Sequence, residues 1–305
     1  MTYEAQKYAL KQLRHVTYLS ILVNICILIP IKFIIGFLTG SLSLVADGIH
    51  SVSDMITDFM VLLGLYFGSK EPDHNHHYGH GKLETLAAAA ISFFLLAVGL
   101  AMIHYAAHDI IKGTVKHPSN IVLATGVISI IIKEGVYRVT RAAAIKYHCP
   151  AALANAWHDR ADAFSSFAVV LGVIGLKLGF DHGDQIAAIA VGVMITLVSI
   201  KIIGDCIAEF TEQAVDDATI EQIRGLIETE DQIRSWHHLR TRAIGREIFV
   251  DLHIVVDPKL DVSTAHSITQ RLETSLRSRL TRPVNIVIQI EPDTPEFKKG
   301  HLHRL

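Results

Sequence analysis

The chain of 305 residues is poor in cysteine, tryptophan and proline, with three, two and eight respectively, and charged residues make up only 19%. Cys26, Cys149 and Cys206 lie far apart with no C-x-x-C pair, which excludes a disulfide framework and a cysteine-based zinc knuckle. A net charge of -2 gives no basic excess, so nucleic acid is not an expected partner. A Walker-type G-x4-G-K-[ST] loop is missing, so ATP hydrolysis is not expected to supply energy, and H-E-x-x-H is missing, so the chain is not read as an enzyme. No organic cofactor is indicated. Half of the residues are hydrophobic, which excludes disorder. What the chain does have is 18 histidines, the side chain of metal and proton chemistry.

A bilayer core about 30 Å thick takes roughly 20 apolar helical residues. Six runs qualify: 16–38, 42–67, 83–108, 121–137, 152–178 and 186–208. The first does not read as a cleavable signal peptide, because it is too long and Pro30 and Lys32 precede no small-residue cleavage site. Lys7, Lys11, Arg14, Lys70, Lys82, Arg138, Arg141 and Lys146 fall on one side of the spans, against Lys112, Lys116 and Lys177 on the other. That asymmetry places both termini in the cytoplasm. A lack of long loops and targeting signals suits a bacterial inner membrane.

From residue 210 the composition turns polar and alternating. The pattern predicts a helix over 218–229, strands over 234–243 and 247–256, a helix over 262–280 and a strand over 285–291. The expected fold is therefore a six-helix transmembrane bundle, residues 1–209, followed by a cytoplasmic α+β domain of order αββαβ, residues 210–305. Period-two alternation turns Ile248, Val250, Leu252, Ile254 and Val256 inward, and likewise Ile286, Ile288 and Ile290. His253, Gln289 and Glu291 are left on the other, polar face.

The second run reads SLSLVADGIHSVSDMITDF and the fifth ANAWHDRADAFSSF. Spacings of three and four stack Asp47, His50, Asp54 and Asp58 along one helical stripe, and Asn155, His158 and Asp162 along another. Each buried ionisable group costs about 2.5–3.5 kcal/mol on insertion scales, so something must compensate them. A divalent cation would. One His and one Asp from each helix, His50, Asp54, His158 and Asp162, make an N2O2 set, which zinc favours in tetrahedral form and calcium and magnesium do not. Asp47, Asn155 and Asp58 read as supporting residues, a gate or an entry path. Hydrogen bonding inside a bundle is the plainer alternative. A bis-histidine haem is another, although haem calls for no carboxylate one turn from each histidine.

Outside the spans, the loop KEPDHNHHYGHGKLE crowds Asp73, His74, His76, His77 and His80 into eight residues, more plausibly a metal site than a solvated loop. The tail carries His237, His238, His253, His266 and Glu291, and spacing alone does not say whether they bind metal or a second subunit.

Six spans, H-x3-D on the second and fifth, YGHGKLE at the start of the third and an αββαβ tail together resemble the cation diffusion facilitator family, including its YiiP-type zinc exporters, over essentially the whole chain. The resemblance implies a transport site at His50, Asp54, His158 and Asp162, in agreement with the count above. It implies a loop site at Asp73, His76 and His80, through the family pattern D-x2-H-x3-H. It also implies a homodimer whose tail binds two metal ions and regulates transport, with His237, His253 and His266 matching. Where zinc exporters have His-x-Asp in the last strand, this chain has Gln289 and Glu291, and Glu291 is left to bind one ion. A charge interlock between Lys82 and Glu212 is implied at the dimer.

The function expected is efflux of a divalent metal, zinc first, with iron, cobalt, cadmium and nickel also possible. Metal and protons compete for the same ligands, which makes the chain a metal/proton antiporter. A proton-independent cation channel and a metal-sensing membrane scaffold use the same residues and stay open.

Overall fold

The computed structural model describes residues 3–39, 42–112, 120–177 and 183–294. The chain divides into two compact units, Leu10–Ile207 and a second made of Met1–Ala9 with Ala208–Leu305.

The larger unit is helical. Helix α1 (Tyr3–Val23) passes through a π-helical turn (Asn24–Leu28) into α2 (Ile29–Thr39). Pro30 explains the wide turn: it has no N–H, and its ring crowds the carbonyl of Cys26 four residues back unless the coil opens. Then come α3 (Leu42–Gly68), α4 (Lys82–Lys112), α5 (Asn120–Lys146), α6 (Pro150–Lys177) and α7 (Gly183–Phe210). As far as they lie among the described residues, the six apolar runs are helical. Among the described residues, three helical stretches are long and apolar enough to cross a membrane: Lys7–Ile35, Lys82–Lys112 and Ala188–Phe210. Helices α3, α5 and α6, at 27, 27 and 28 residues, match them in length.

Helix α6 packs against α5, α4 and α3. It can do so because the facing residues are small: Ala87, Ala88 and Ala89 on α4, Ala144 on α5, and Ala151, Ala152 and Ala154 on α6 are all buried. Lipid tails are as apolar as a protein core, so close van der Waals approach has to supply the attraction. Large side chains such as Phe37, Ile111, Ile131 and Leu197 point outward instead, as a lipid-facing surface requires.

The smaller unit holds α8 (Asp217–Glu228), β1 (Ser235–Ile244), β2 (Glu247–Val256), α9 (Val262–Arg279) and β3 (Val284–Pro292), the order read from the sequence. The sheet runs β1-β2-β3, antiparallel then parallel, with α9 as the crossover. Asp216 and Asp261 cap the two helices by accepting from the amides of Thr219 and Thr264. These bonds hold both carboxyls below the usual aspartate range, the Thr219 hydroxyl contributing most at Asp216 and the Thr264 amide most at Asp261. Ile223 and Ile227 of α8, Ile268, Leu272 and Leu276 of α9, and Ile248, Val250, Leu252 and Ile254 of β2 form the core. Two expectations for β3 change. Ile290 is 36% exposed rather than inward, and Glu291, expected on an open polar face, is only 4% exposed. His237 and His253, which lie against the Glu291 carboxylate, account for its burial.

Helices α4 and α7 cross at glycine. A Cβ on Gly192 would lie 2.8 Å from Ile103 Cγ1 and 3.0 Å from the Gly99 carbonyl oxygen, whereas one on Gly204 meets nothing within 4 Å. Gly192→Leu has to push the helices apart and is expected to cost about 1–3 kcal/mol. Gly204→Leu should be neutral, and thermal unfolding of both variants in detergent checks the contrast.

Candidate functional site

Three groups of histidine and carboxylate come together among the described residues. The first lies within the helical unit. Asp54 on α3 meets His158 and Asp162, one turn apart on α6, and one ligand atom from each lies within 4.8 Å of the others. His158 Nε2 is 3.4 Å from Asp54 Oδ1 and 3.9 Å from Asp162 Oδ2. Asp54 and His158 are almost fully buried. Neither ring nitrogen of His158 makes a hydrogen bond of good geometry. The ring of Phe94 lies edge-on to His158 at 5.7 Å. The side chains of Asp47 and His50 lie outside the described residues.

Two residues of this centre were not foreseen from the sequence. Lys133 on α5 donates from Nζ to Asp54 Oδ2 at 3.1 Å, Asp159 Oδ1 at 3.0 Å and Asp162 Oδ2 at 3.0 Å. A signal existed: Lys133 interrupts the apolar run ISIIIKEGV, and Asp159 directly follows His158.

Asp58 and Asn155 bond to each other rather than joining the cluster. Asp58 Oδ1 accepts from Asn155 Nδ2 at 2.7 Å, and Oδ2 from Ser20 Oγ at 3.1 Å and Asn24 Nδ2 at 3.3 Å. Asn24 opens the π-helical turn, so the irregularity at Pro30 brings a polar side chain to a buried carboxylate.

The second group is Asp73, His76 and His80. Asp73 Oδ1 accepts from the amides of Asn75 and His76 at 2.9 and 2.8 Å. Those bonds, Asn75 first, hold the Asp73 carboxyl below the usual range, so it remains an anion where an ordinary aspartate is titrating. His76 Nδ1 lies 3.2 Å from Oδ1, and His80 Nε2 lies 3.3 Å from Oδ2. Gly79, at φ +78°, makes the turn that brings His80 back. His74 and His77 are exposed and stand outside the group.

The third group is His237, His253 and Glu291, one from each strand. His237 Nε2 is 3.3 Å from Glu291 Oε2, and His253 Nδ1 is 2.9 Å from Oε1. A bulge between His237 and Arg240, with His238 at φ 49°, twists β1 and turns both histidines toward His253. Gln289 Nε2 donates to Glu291 Oε1 at 3.0 Å and so helps to orient that carboxylate. His266 is exposed on α9. That helix packs on the opposite, apolar face of the sheet, so within one chain His266 does not reach the group. Glu212, at φ 62°, pairs with Arg242 of β1, and Lys82 opens α4.

Two domain families match this chain: the cation efflux transmembrane domain over residues 17–210 and the cation efflux protein cytoplasmic domain over residues 215–293. Metal tolerance protein C1 of Arabidopsis thaliana is 34% identical over 282 residues, covering 87% of this chain and 60% of that protein. The chain therefore spans about three-fifths of that relative's length. An uncharacterized transporter of Methanocaldococcus jannaschii is 33% identical over 268 residues, covering 88% and 93%. The manganese efflux system protein MneP of Bacillus subtilis is 27% identical over 286 residues, covering 92% and 96%. With both domain families matched in order and relatives aligned along most of its length, the chain belongs to the cation diffusion facilitator family.

Proposed function

We propose that this chain exports divalent transition-metal ions, zinc first among them, in exchange for protons. The observation that carries the reading is the buried meeting of Asp54, His158 and Asp162 from two different helices. Two carboxylates and an imidazole in an apolar surrounding suit a dication far better than they suit one another. His50, four residues before Asp54 on the same helix, is assigned as the fourth ligand. Histidine must be neutral and aspartate ionised to bind metal, so each ion that binds displaces protons, and protons arriving from a more acidic side displace the ion.

The cargo is judged by ligand type. One relative is named for manganese, a harder ion that prefers oxygen donors. Two imidazoles here favour zinc, iron, cobalt, nickel or cadmium. In this reading residues 1–209 carry transport in a bacterial inner membrane, with the termini in the cytoplasm. Residues 210–305 join two copies into a homodimer, and the Asp73 and Glu291 groups bind regulatory metal. Because Gln289 donates to Glu291 instead of ligating, the tail of each chain takes one ion rather than two.

Zinc flux into proteoliposomes loaded with a pH-sensitive dye tests the reading. Wild type should move zinc one way and protons the other. Asp54→Ala and Asp162→Ala should each lower zinc flux by at least about 100-fold, since even residues one shell beyond a metal typically change affinity by 10–100-fold. Zinc flux without proton movement would indicate a channel, binding without flux a scaffold, and undiminished flux in both variants would dismiss the site.

Hardness gives a second test. His50→Asp and His158→Asp replace imidazole with oxygen, so the ratio of manganese to zinc flux should rise about tenfold or more. An unchanged ratio in both would show that these histidines do not select the ion.

A further inference from the structure

The three amine hydrogens of Lys133 have three carboxylate partners, Asp54, Asp159 and Asp162, at 3.0 to 3.1 Å. An ammonium has three N–H donors and no acceptor, so this arrangement uses all of them. The amine is as buried as its partners: the side chains of Lys133, Asp54 and Asp159 are 4%, 3% and 3% exposed. Two of the three carboxylates belong to the group read above as the cargo site. On that reading, Lys133 and a bound metal ion make claims on the same oxygens.

Both cannot be satisfied together. A dication bound through Asp54 and Asp162 would share oxygens with the ammonium at close range, in surroundings that screen charge poorly. The two cations repel, and the ammonium has to withdraw from Asp54 and Asp162. Asp159 gives it somewhere to go. Oδ1 of Asp159 already accepts from Nζ, while Oδ2 is buried without a hydrogen-bond partner, so the ammonium can shift onto this carboxylate without leaving the site.

We infer that Lys133 is a tethered counter-cation of the transport site, holding Asp54, Asp159 and Asp162 together when no ion is bound and yielding Asp54 and Asp162 to the cargo. This role deepens the proposed function and rests on its assignment of Asp54, His158 and Asp162. Charge arithmetic gives it a consequence for selectivity. Three carboxylates and one ammonium, all ionised, leave a net charge of -2, which a dication neutralises. A monovalent ion gains nothing over the ammonium that it must displace, whereas a divalent ion does. Lys133 thus sets a charge threshold for entry, and His158 adds a donor that sodium and potassium do not favour.

The test measures zinc affinity of the full-length protein in detergent by competition with a zinc indicator. It uses a background carrying His76→Ala and Glu291→Ala, so that the loop and tail groups each lack a ligand. Removing a merely structural lysine would weaken zinc binding or leave it alone, but removing a competitor tightens it. Lys133→Gln should bind zinc about tenfold tighter or more, and sodium at about 0.1 M should now compete where it does not in the parent. Lys133→Gln strands three buried carboxylates, so the double variant Lys133→Gln/Asp159→Asn, which keeps the net charge at -2, is measured beside it with the same expectation. Lys133→Arg, with its more extensive donor fork, should weaken zinc binding. Equal or weaker zinc binding in the Gln variants, or no weakening in the Arg variant, would overturn the inference. Asp162→Ala in the same background separates the two claims. If it leaves zinc binding intact, the assigned site itself fails and the role of Lys133 with it. If it abolishes binding while the Lys133 variants do not tighten it, the role of Lys133 alone fails.

Discussion

A charge inside an apolar slab has no water to fall back on, and the helical unit is arranged around supplying each one with a partner. Lys133 and its three aspartates answer one another. Asp58 is met by two amides and a hydroxyl from α1, its π-helical turn and α6. Lys32 donates to Ser51 at 2.8 Å. Compensation over such distances needs helix axes close together, and the alanine-rich faces of α4, α5 and α6 with the glycines of α4 and α7 allow it. Packing by small residues and burial of charge are two halves of one arrangement.

The same donors behave differently in the three groups because their surroundings differ. In the loop, backbone amides hold Asp73 as an anion in contact with water. In the tail, a strand bulge and Gln289 orient His237, His253 and Glu291 across three neighbouring strands. Both of these groups are fixed by backbone or by neutral side chains. The group between α3 and α6 is held by an ammonium, a partner that a dication can outcompete. On the proposed reading this group is the cargo site, which has to release what it binds, and a partner of like sign to the cargo provides for that release in a way that fixed amides do not.

Much of this was legible in the sequence, for physical reasons. Helix length follows from apolar run length, so the six runs, as far as they are described, fall in helix; the αββαβ order follows from where period two gives way to period 3.6. H-x3-D is visible because i and i+4 share a helix face. Lys133 escaped attention because its partners sit on other helices, and periodicity along one helix says nothing about a charge meeting its neighbours' carboxylates. The burial of Glu291 was missed for a related reason. Alternation assigned it correctly to the face of His253, but the cover that His237 provides depends on a bulge that no residue in β1 announces. His266 was grouped with the tail histidines from composition and then matched by resemblance, but neither shows which face of the sheet it lies on, and the layer order of sheet and helix keeps it away within one chain.

The most direct measurement is a structure of the full chain grown with zinc, with anomalous scattering recorded at the zinc edge. The account predicts a peak bonded to Asp54, His158 and Asp162 at about 2.0–2.2 Å, with the Lys133 amine withdrawn toward Asp159. Zinc peaks confined to the Asp73 loop and the Glu291 group, with Lys133 still on Asp54 and Asp162, would contradict it.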